Sequence, residues 1–486
     1  MNKARKIFLM ILIIALLSAC VSLRDPGYRN VARIVKERTG HEIVRPEKIT
    51  AEKISDAVKP ILAEKLSADD AIKIALLNNR QIHATFQELG IAKSEVLQAT
   101  LWKNPRFNGF VRIPDHSGID NNTELEITKD AVDIILMPFK RRVAVAQYEQ
   151  SRLRVTDAVL NLIAEVKTAY YQAQAAEQIK TMQAKVLHAA ELAAELADRQ
   201  FKAGNLKDVD LANEKAAYEQ AHVDYDRSET AAILAREPLN RLLGLSRNDA
   251  AVWKLEAEEL SELPSTDPAL NTVEELASTQ RLDLAAVRKE TEIVRRDLLA
   301  TRLGIIPEAS AGLSTEKDME GGRVTGPSWD VEVPVFDWKQ AAMSRGKARL
   351  RQSQYAAEAF DVQVRSEARS AREHVIAARR ITERYRDKIV PLRKQIVELS
   401  QPYYNFMLIG VYQLLQAKQN EILAYREYVE ALKEYWIAKA ELERVVGGKL
   451  PEEQAASESK TQPAPNPPPA NNPQTMPTHH HGGKNQ

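Results

Sequence analysis

The chain has 486 residues, enough for about three ordinary domains, and its single cysteine excludes an internal disulfide framework. Lys and Arg number 68 against 67 Asp and Glu, and this balance excludes the basic surface of a nucleic-acid-binding protein. Hydrophobic residues make up 44% of the chain but aromatic residues only 6%, which is typical of long helices packed through small side chains.

The first residues have the pattern of a secretory signal peptide. A basic start is followed by an apolar run over 8–17, about ten residues long and too short to span a bilayer. Leu17-Ser18-Ala19-Cys20 resembles the bacterial lipoprotein signal, which implies removal of 1–19 and lipid attachment to Cys20. In that family, Val21 after the cysteine favours the outer membrane. The alternative is a plain signal peptide with an incidental cysteine.

Residues 20–66 predict a lipid-anchored, extended arm with one short helix over 51–58. At Ser67 a helix begins, because Asp70 follows three residues later as in a capping box, and it extends to about Trp102 before Asn104-Pro105 stops it.

A β-hairpin is predicted next. Residues 106–113 alternate apolar and polar side chains, 115–122 form a polar loop, and 124–127 alternate again. The second strand is then irregular at Lys129-Asp130, and the alternation that follows predicts a bulge or a register change, with Val132, Ile134 and Leu136 still in the strand.

Two long helices follow the hairpin. Apolar residues at four-three spacing predict the first up to Phe201, and Gly204 is suited to a left-handed cap in the turn. The second runs over 208–236 and finishes at Gly244. Residues 245–271, which contain two prolines, predict a linker.

The same order then recurs roughly two hundred residues later, which indicates a duplicated unit. A helix over 272–304 precedes a hairpin with strands around Ala309 and Trp329, and a return helix covers 414–446 after a turn that contains Gly410. Between them a helix of roughly sixty residues starts at Lys339, and its seam is Ala371, Val375, Ala378, Thr382, Tyr385, Ile389, Leu392, Ile396 and Leu399.

Prolines and composition divide the second half further. Pro391 and Pro402 are expected to kink or end the long helix locally. The predicted repeats cover 67–244 and 272–448, and the Pro-, Asn- and His-containing tail over 449–486 is expected to be disordered.

Two hairpins provide four strands, and four strands are too few for a closed membrane barrel, which begins near eight. Three copies would supply twelve strands and remove every unpaired edge, as lipid requires. The narrow seams of the long helices likewise need helices of neighbouring chains.

The two-fold repeat, the lipoprotein signal and the hairpin-to-helix junctions at Pro138-Phe139 and Pro334-Val335-Phe336 resemble the TolC-type outer membrane factors. The resemblance implies a mainly α fold with β: a trimeric, twelve-stranded transmembrane β-barrel continuous with a periplasmic α-helical barrel. It implies a lipid-anchored outer-membrane exit duct in a tripartite efflux system, with a periplasmic adaptor and an inner-membrane pump as partners.

The resemblance also implies that the turns at Gly204 and Gly410 lie at the periplasmic mouth. Aspartates after the second turn often ring the constriction in this family, whereas this sequence has Gln413 and Gln416 at the matching places. Asp208 and Asp210 follow the first turn and are the candidate mouth-lining carboxylates. The alternative is that both merely stabilise the N-terminus of a helix.

The sequence contains no phosphate-binding loop, nucleophile elbow or paired-histidine zinc motif, so neither an enzyme nor a cofactor is predicted. His479, His480 and His481 form the one weak metal-binding candidate. The competing hypothesis for the whole chain is a periplasmic coiled-coil scaffold or adaptor lipoprotein without a pore. The exported solute, whether an organic compound or a metal cation, is left open.

Overall fold

The computed structural model describes residues 27–43, 51–115, 121–256, 259–265, 270, 272–318 and 320–450. Its helices are α1 (Tyr28–Thr39), α2 (Ala51–Ala63), α3 (Ala68–Asn78), α4 (Arg80–Gln98), α5 (Val132–Lys202), α6 (Asp208–Leu243), α7 (Arg247–Ala250), α8 (Val273–Gln280), α9 (Leu282–Leu303), α10 (Gln340–Arg384), α11 (Val390–Asn405) and α12 (Val411–Val446). Helix α5 alone has 71 residues, a length of about 105 Å.

Six strands accompany these helices. They are β1 (Lys65–Leu66), β2 (Arg106–Arg112), β3 (Asn122–Asp130), β4 (Lys254–Leu255), β5 (Glu308–Lys317) and β6 (Arg323–Glu332). The four long strands form one antiparallel sheet in the order β2-β3-β5-β6, so the two predicted hairpins lie side by side. Strands β1 and β4 pair separately and in parallel.

The capping box at the start of the first repeat is confirmed. The Ser67 hydroxyl accepts a hydrogen bond from the Asp70 backbone N–H at 3.1 Å and donates to the Asp70 carboxylate at 2.6 Å. The single helix expected to follow is instead divided at Asn79, whose side chain caps α4 by accepting from the Ile82 backbone N–H.

The predicted extension of the second strand is wrong. Strand β3 ends at Asp130, and Val132, Ile134 and Leu136 belong to the first turns of α5. Residues 134–137 are consecutively apolar, so the period of two fails there and a helix can form instead.

The long helix of the second repeat is interrupted next to Pro391, as expected. Residues 385–389 form a π-helical turn immediately before α11, and Pro391 lies in the first turn of that helix. Proline lacks the N–H that would continue the α-helical hydrogen-bond series, and the wider π turn accommodates the missing donor.

In both repeats, the C-terminal end of the last helix contacts the first helices of the same repeat. Helix α6 ends at Gly244 (φ 66°) against Asn78, whose side-chain amide donates to the carbonyls of Leu243 and Gly244. Helix α12 ends at Gly447 (φ 82°), and a Cβ there would lie 3.0 Å from the carbonyl oxygen of Gln280. The last helix of each repeat thus packs on the break between its first two helices.

The segments predicted as an arm and a linker contain more structure than expected. Helix α1 was not predicted, and it buries Val31 and Val35 in the hydrophobic core of the first repeat. Strand β4 follows Trp253, whose indole is 1% exposed in the same core. A second core forms between α8, α10 and α12 of the second repeat.

Candidate channel-forming surfaces

The four-stranded sheet has one apolar face. Antiparallel partners point to the same side, so the register assigns each side chain to a face. Phe107 pairs with Ile127, which pairs with Leu313. The face continues across the sheet with exposed large apolar side chains, namely Phe107, Val111, Leu125, Ile127, Leu313, Trp329 and Val331. No element among the residues that the structure describes covers them.

The opposite face, called here the acidic face, is polar. Among side chains that the structure describes, it carries six carboxylates and two guanidinium groups: Glu124, Glu126, Asp130, Glu316, Asp330 and Glu332, with Arg106 and Arg112. Arg106 pairs with Asp130 at 2.7 Å, so part of the negative charge is compensated within the chain. The sequence analysis did not identify this face, although the alternation that revealed the apolar face also places these residues.

Both edges of the sheet are open. Among the strands that the structure describes, β2 and β6 each pair on one side only, and every residue of β2 is exposed. An unpaired strand edge next to a large apolar face is a surface that requires additional strands.

The long helices leave part of their seams uncovered. The predicted seam buries Ala371, Val375 and Thr382 in α10, but α11 contains no buried residue. Leu392, Ile396 and Leu399 are 56%, 43% and 56% exposed. After the π turn, the described part of the chain therefore leaves this stripe largely uncovered.

The turn between α5 and α6 contains Gly204, which adopts φ 76° with open space around it. The equivalent left-handed residue in the second turn is Met407 (φ 58°), since Gly204 and Met407 donate matching hydrogen bonds to the carbonyls of Phe201 and Tyr404. Gly410 lies in the same turn with φ −77° and directly precedes α12.

The candidate mouth residues follow these turns. Asp208 and Asp210 lie in the first turn of α6, and Gln413 and Gln416 lie in the first two turns of α12. All four residues therefore lie next to the two turns, at the opposite ends of the long helices from the strands. Asp208, Gln413 and Gln416 are exposed. Asp210 contributes to raising the pKa of Glu214, after the larger effect of burial.

A charge network centred on the buried Arg281 joins α9 to α10. The sequence did not reveal it. Arg281, 7% exposed, donates to Asp283 at 2.6 and 3.0 Å and to Glu367 of α10 at 2.5 Å. Burial favours the neutral guanidine, but these hydrogen bonds outweigh it and raise the pKa of Arg281. Burial, reinforced by Asp283, raises the pKa of Asp157 to about 6.

Two predicted sites lie outside the described residues: the lipid-attachment cysteine, Cys20, and the histidines His479, His480 and His481. Within the described ranges, no group of three or more His, Cys, Asp and Glu side chains is arranged to hold a metal ion. In those ranges, too, no helix combines the length and apolar composition needed to cross a bilayer.

The fold is found in solved outer-membrane channels. The Campylobacter jejuni CmeC outer membrane channel is 16% identical with a TM-score of 0.68, over 86% of this chain and 92% of that one. A membrane protein from Pseudomonas aeruginosa is 21% identical with a TM-score of 0.68, over 78% and 92%. The open state of the Neisseria gonorrhoeae MtrE outer membrane channel is 18% identical with a TM-score of 0.62, over 79% and 89%.

A chain with two hairpins and two pairs of long helices in this arrangement shares the fold of these solved channels. Residues 140–245 match the outer membrane efflux protein family, while no curated protein sequence matches the chain. The resemblance to the TolC-type outer membrane factors that was seen in the sequence is confirmed as a resemblance, by the family match over 140–245 and by the fold shared with these channels.

Proposed function

We propose that the chain is one subunit of a homotrimeric exit duct in the bacterial outer membrane. The duct conducts passively the solutes that an inner-membrane pump expels through a periplasmic adaptor. The single observation that carries this proposal is the four-stranded sheet with one uncovered apolar face and two open edges. Three copies joined β6 to β2 give twelve strands with no edge, the condition for a sheet in lipid.

The different chemistry of the two faces indicates which face of the closed barrel contacts lipid and which lines the pore. Lipid stabilises apolar side chains, so the face with Leu125, Leu313 and Trp329 lies outside and the acidic face lines the pore. Each copy contributes more carboxylates than guanidinium groups to that lining. The pore is therefore expected to conduct cations better than anions, because a ring of one charge sign raises the local concentration of counter-ions.

The long helices support the periplasmic part of the duct. The uncovered stripe of Leu392, Ile396 and Leu399 requires an apolar partner, and a neighbouring copy offers long helices of the same kind. The names of CmeC and MtrE identify them as outer membrane channels, and this chain covers about nine-tenths of each.

The test is electrical. Purified protein in a planar bilayer should show discrete conductance steps, and a potassium chloride gradient should give a reversal potential of the sign for cation preference. The double variant Glu124→Gln/Glu126→Gln should weaken that preference. A folded trimer that stays silent would contradict the duct and support the scaffold or adaptor without a pore.

We further propose that Asp208 and Asp210 line the periplasmic mouth, with Gln413 and Gln416 beside them. Support comes from their common position after the two turns. Asp208→Ala/Asp210→Ala should reduce block of the conductance by divalent cations, and Gln413→Ala/Gln416→Ala is the uncharged control. Unchanged block and conductance in the aspartate variant would leave only a helix-stabilising role.

Lipid attachment at Cys20 is part of the proposal and rests on the lipoprotein-like signal alone. Labelled palmitate should enter the protein, and Cys20→Ser should abolish incorporation. A single acyl anchor adds only marginal membrane affinity, so the trimer of the variant should still insert once it reaches the membrane.

A further inference from the structure

A small cleft lies where the sheet meets the helices of the first repeat. It is bounded by the end of α4, the end of β3 and the start of α5, and has a volume of about 150 Å³. Its charged lining consists of Lys103, Lys129, Asp130, Asp133 and Lys140, with Trp102 beside them. Below, "the cleft" refers to these six residues.

The position of the cleft follows from the register of the sheet. Lys129 points to the same side as Leu125 and Ile127, so it ends the apolar face on the side where the helices begin. Trp102 is 61% exposed, and the neighbouring Ile134 is also exposed. If the duct proposal holds, this level is the boundary between the membrane and the periplasm.

The charges in the cleft are unevenly paired. Lys103 contacts Asp130 at 3.1 Å and Asp133 at 2.6 Å, and Lys140 contacts Asp133 at 2.9 Å. Lys129 lies with its Nζ 4.2 Å from the centre of the Trp102 ring and has no carboxylate partner among the described residues. Three ammonium groups thus face two carboxylates, and the surplus positive charge belongs to Lys129.

The ammonium groups of Lys129 and Lys140 also have hydrogen-bond donors that no carboxylate among the described residues accepts. An ammonium group has three N–H donors and no acceptor. Lys129 uses none of its donors on a carboxylate, and Lys140 uses one. The cleft therefore offers several donors to an acceptor-rich anion next to exposed apolar side chains.

We propose that the cleft binds the phosphate headgroup of an anionic phospholipid in the leaflet that faces the periplasm. The phosphate accepts hydrogen bonds from Lys129 and Lys140, and the acyl chains lie along Trp102, Ile134 and the apolar face. Tryptophan and lysine are suited to this level because each has an apolar body and a polar end. The inference rests on the proposed outer-membrane location, and it adds a lipid partner to the duct.

The experiment measures lipid binding directly. Full-length trimer in detergent is titrated with short-chain phosphatidylglycerol, short-chain phosphatidylcholine or inorganic phosphate, and bound molecules are counted by native mass spectrometry. We expect phosphatidylglycerol to bind more tightly than phosphatidylcholine, and inorganic phosphate not to compete at equal concentration. One Lys near a charged membrane surface contributes about 1 kcal/mol, so Lys129→Gln should weaken phosphatidylglycerol binding about fivefold.

Two variants serve as controls. Lys129→Arg keeps the charge and should retain binding. Lys185→Gln removes an exposed lysine from the second half of α5, far along the helix from the cleft, and should have no effect. Equal binding of the two lipids, or unchanged affinity in Lys129→Gln, would overturn the inference. Effective competition by inorganic phosphate would show a free-anion site instead of a lipid site.

The conductance assay separates this inference from the duct. Lys129→Gln should conduct like the wild type, because Lys129 lies on the apolar face and not on the acidic one. A conducting trimer without headgroup preference would refute the lipid site and leave the duct intact. A silent trimer would refute the duct whatever lipids it binds.

Discussion

Replacing Arg281 with Met should destabilise the helical part of the protein more than any comparable change at an exposed arginine. Arg281 lies between α8 and α9 and holds Asp283 and Glu367, and through Glu367 it joins α9 to α10. Its side chain is 7% exposed, whereas those of the two carboxylates are 27% and 33% exposed. Arg281→Met removes the cation and leaves both carboxylates without it.

The magnitude follows from burial. Removing one partner of a buried ion pair costs about 3–5 kcal/mol, and partial access of both carboxylates to water lowers this to about 2–3 kcal/mol. With an unfolding entropy of about 2.1 cal/mol/K per residue, a chain of this size loses about 1 °C of melting temperature per kcal/mol. Arg281→Met should therefore melt about 2–3 °C lower.

The matched control is Arg288→Met. Arg288 lies in α9, two turns after Arg281, and likewise pairs with α10, through Asp361 at 2.8 Å, but its side chain is 50% exposed. Exposed pairs contribute about 0–1 kcal/mol, and Asp361 keeps Arg365 as a partner in the variant. Thermal unfolding followed by circular dichroism at 222 nm compares both variants in the same detergent. Equal shifts for the two variants would refute the argument from burial.

Three further predictions concern other parts of the chain. Burial raises the pKa of Asp157 to about 6, so the charged carboxylate opposes folding above that pH. Asp157→Asn should therefore increase the free energy of unfolding by about 1–2 kcal/mol at pH 8 and leave it unchanged below about pH 4, as measured by denaturant unfolding. Gly244→Ala should cost about 2–3 kcal/mol, since a Cβ would lie 2.7 Å from a backbone oxygen, and Gly204→Ala, in open space, about 1 kcal/mol; equal losses in thermal unfolding would contradict this. Leu313→Arg, on the apolar face, should reduce the amount of trimer in outer-membrane fractions at a cost of about 2–4 kcal/mol per copy, while Ser314→Arg, on the acidic face, should be tolerated; similar trimer levels would show that the faces are assigned wrongly.

The repeated unit and most of its helices and strands were predictable because their signals are local. Strand alternation, the four-three seam and the capping box at Ser67 each lie within one segment. The same local rule failed at Val132, where alternation continued for a few residues beyond the strand. Strand β3 ends there since its last pair is Asp130 with Ser310, from the other repeat, and α5 begins two residues later.

The candidate site was predictable only in part. The sequence revealed the apolar face of the sheet and the two turns. Alternation within each strand also separates the carboxylates from the apolar residues, but only the register between β3 and β5 shows that both hairpins contribute them to one face. The sequence also did not reveal that Met407 takes the left-handed position equivalent to Gly204.

The sequence by itself determined the two hairpins, the long helices, their order and their duplication, since helix and strand periods depend on neighbours a few residues away. Only the tertiary structure decided the partners of Arg281, the cleft at Lys129 and the pairing of β3 with β5 that joins the two hairpins. Each of these joins segments that are far apart in the chain, and no local spacing encodes which distant side chain will be opposite. Burial then sets how much each contact contributes to stability. A charge that is removed from water is stable only if folding places an oppositely charged or hydrogen-bonding partner beside it.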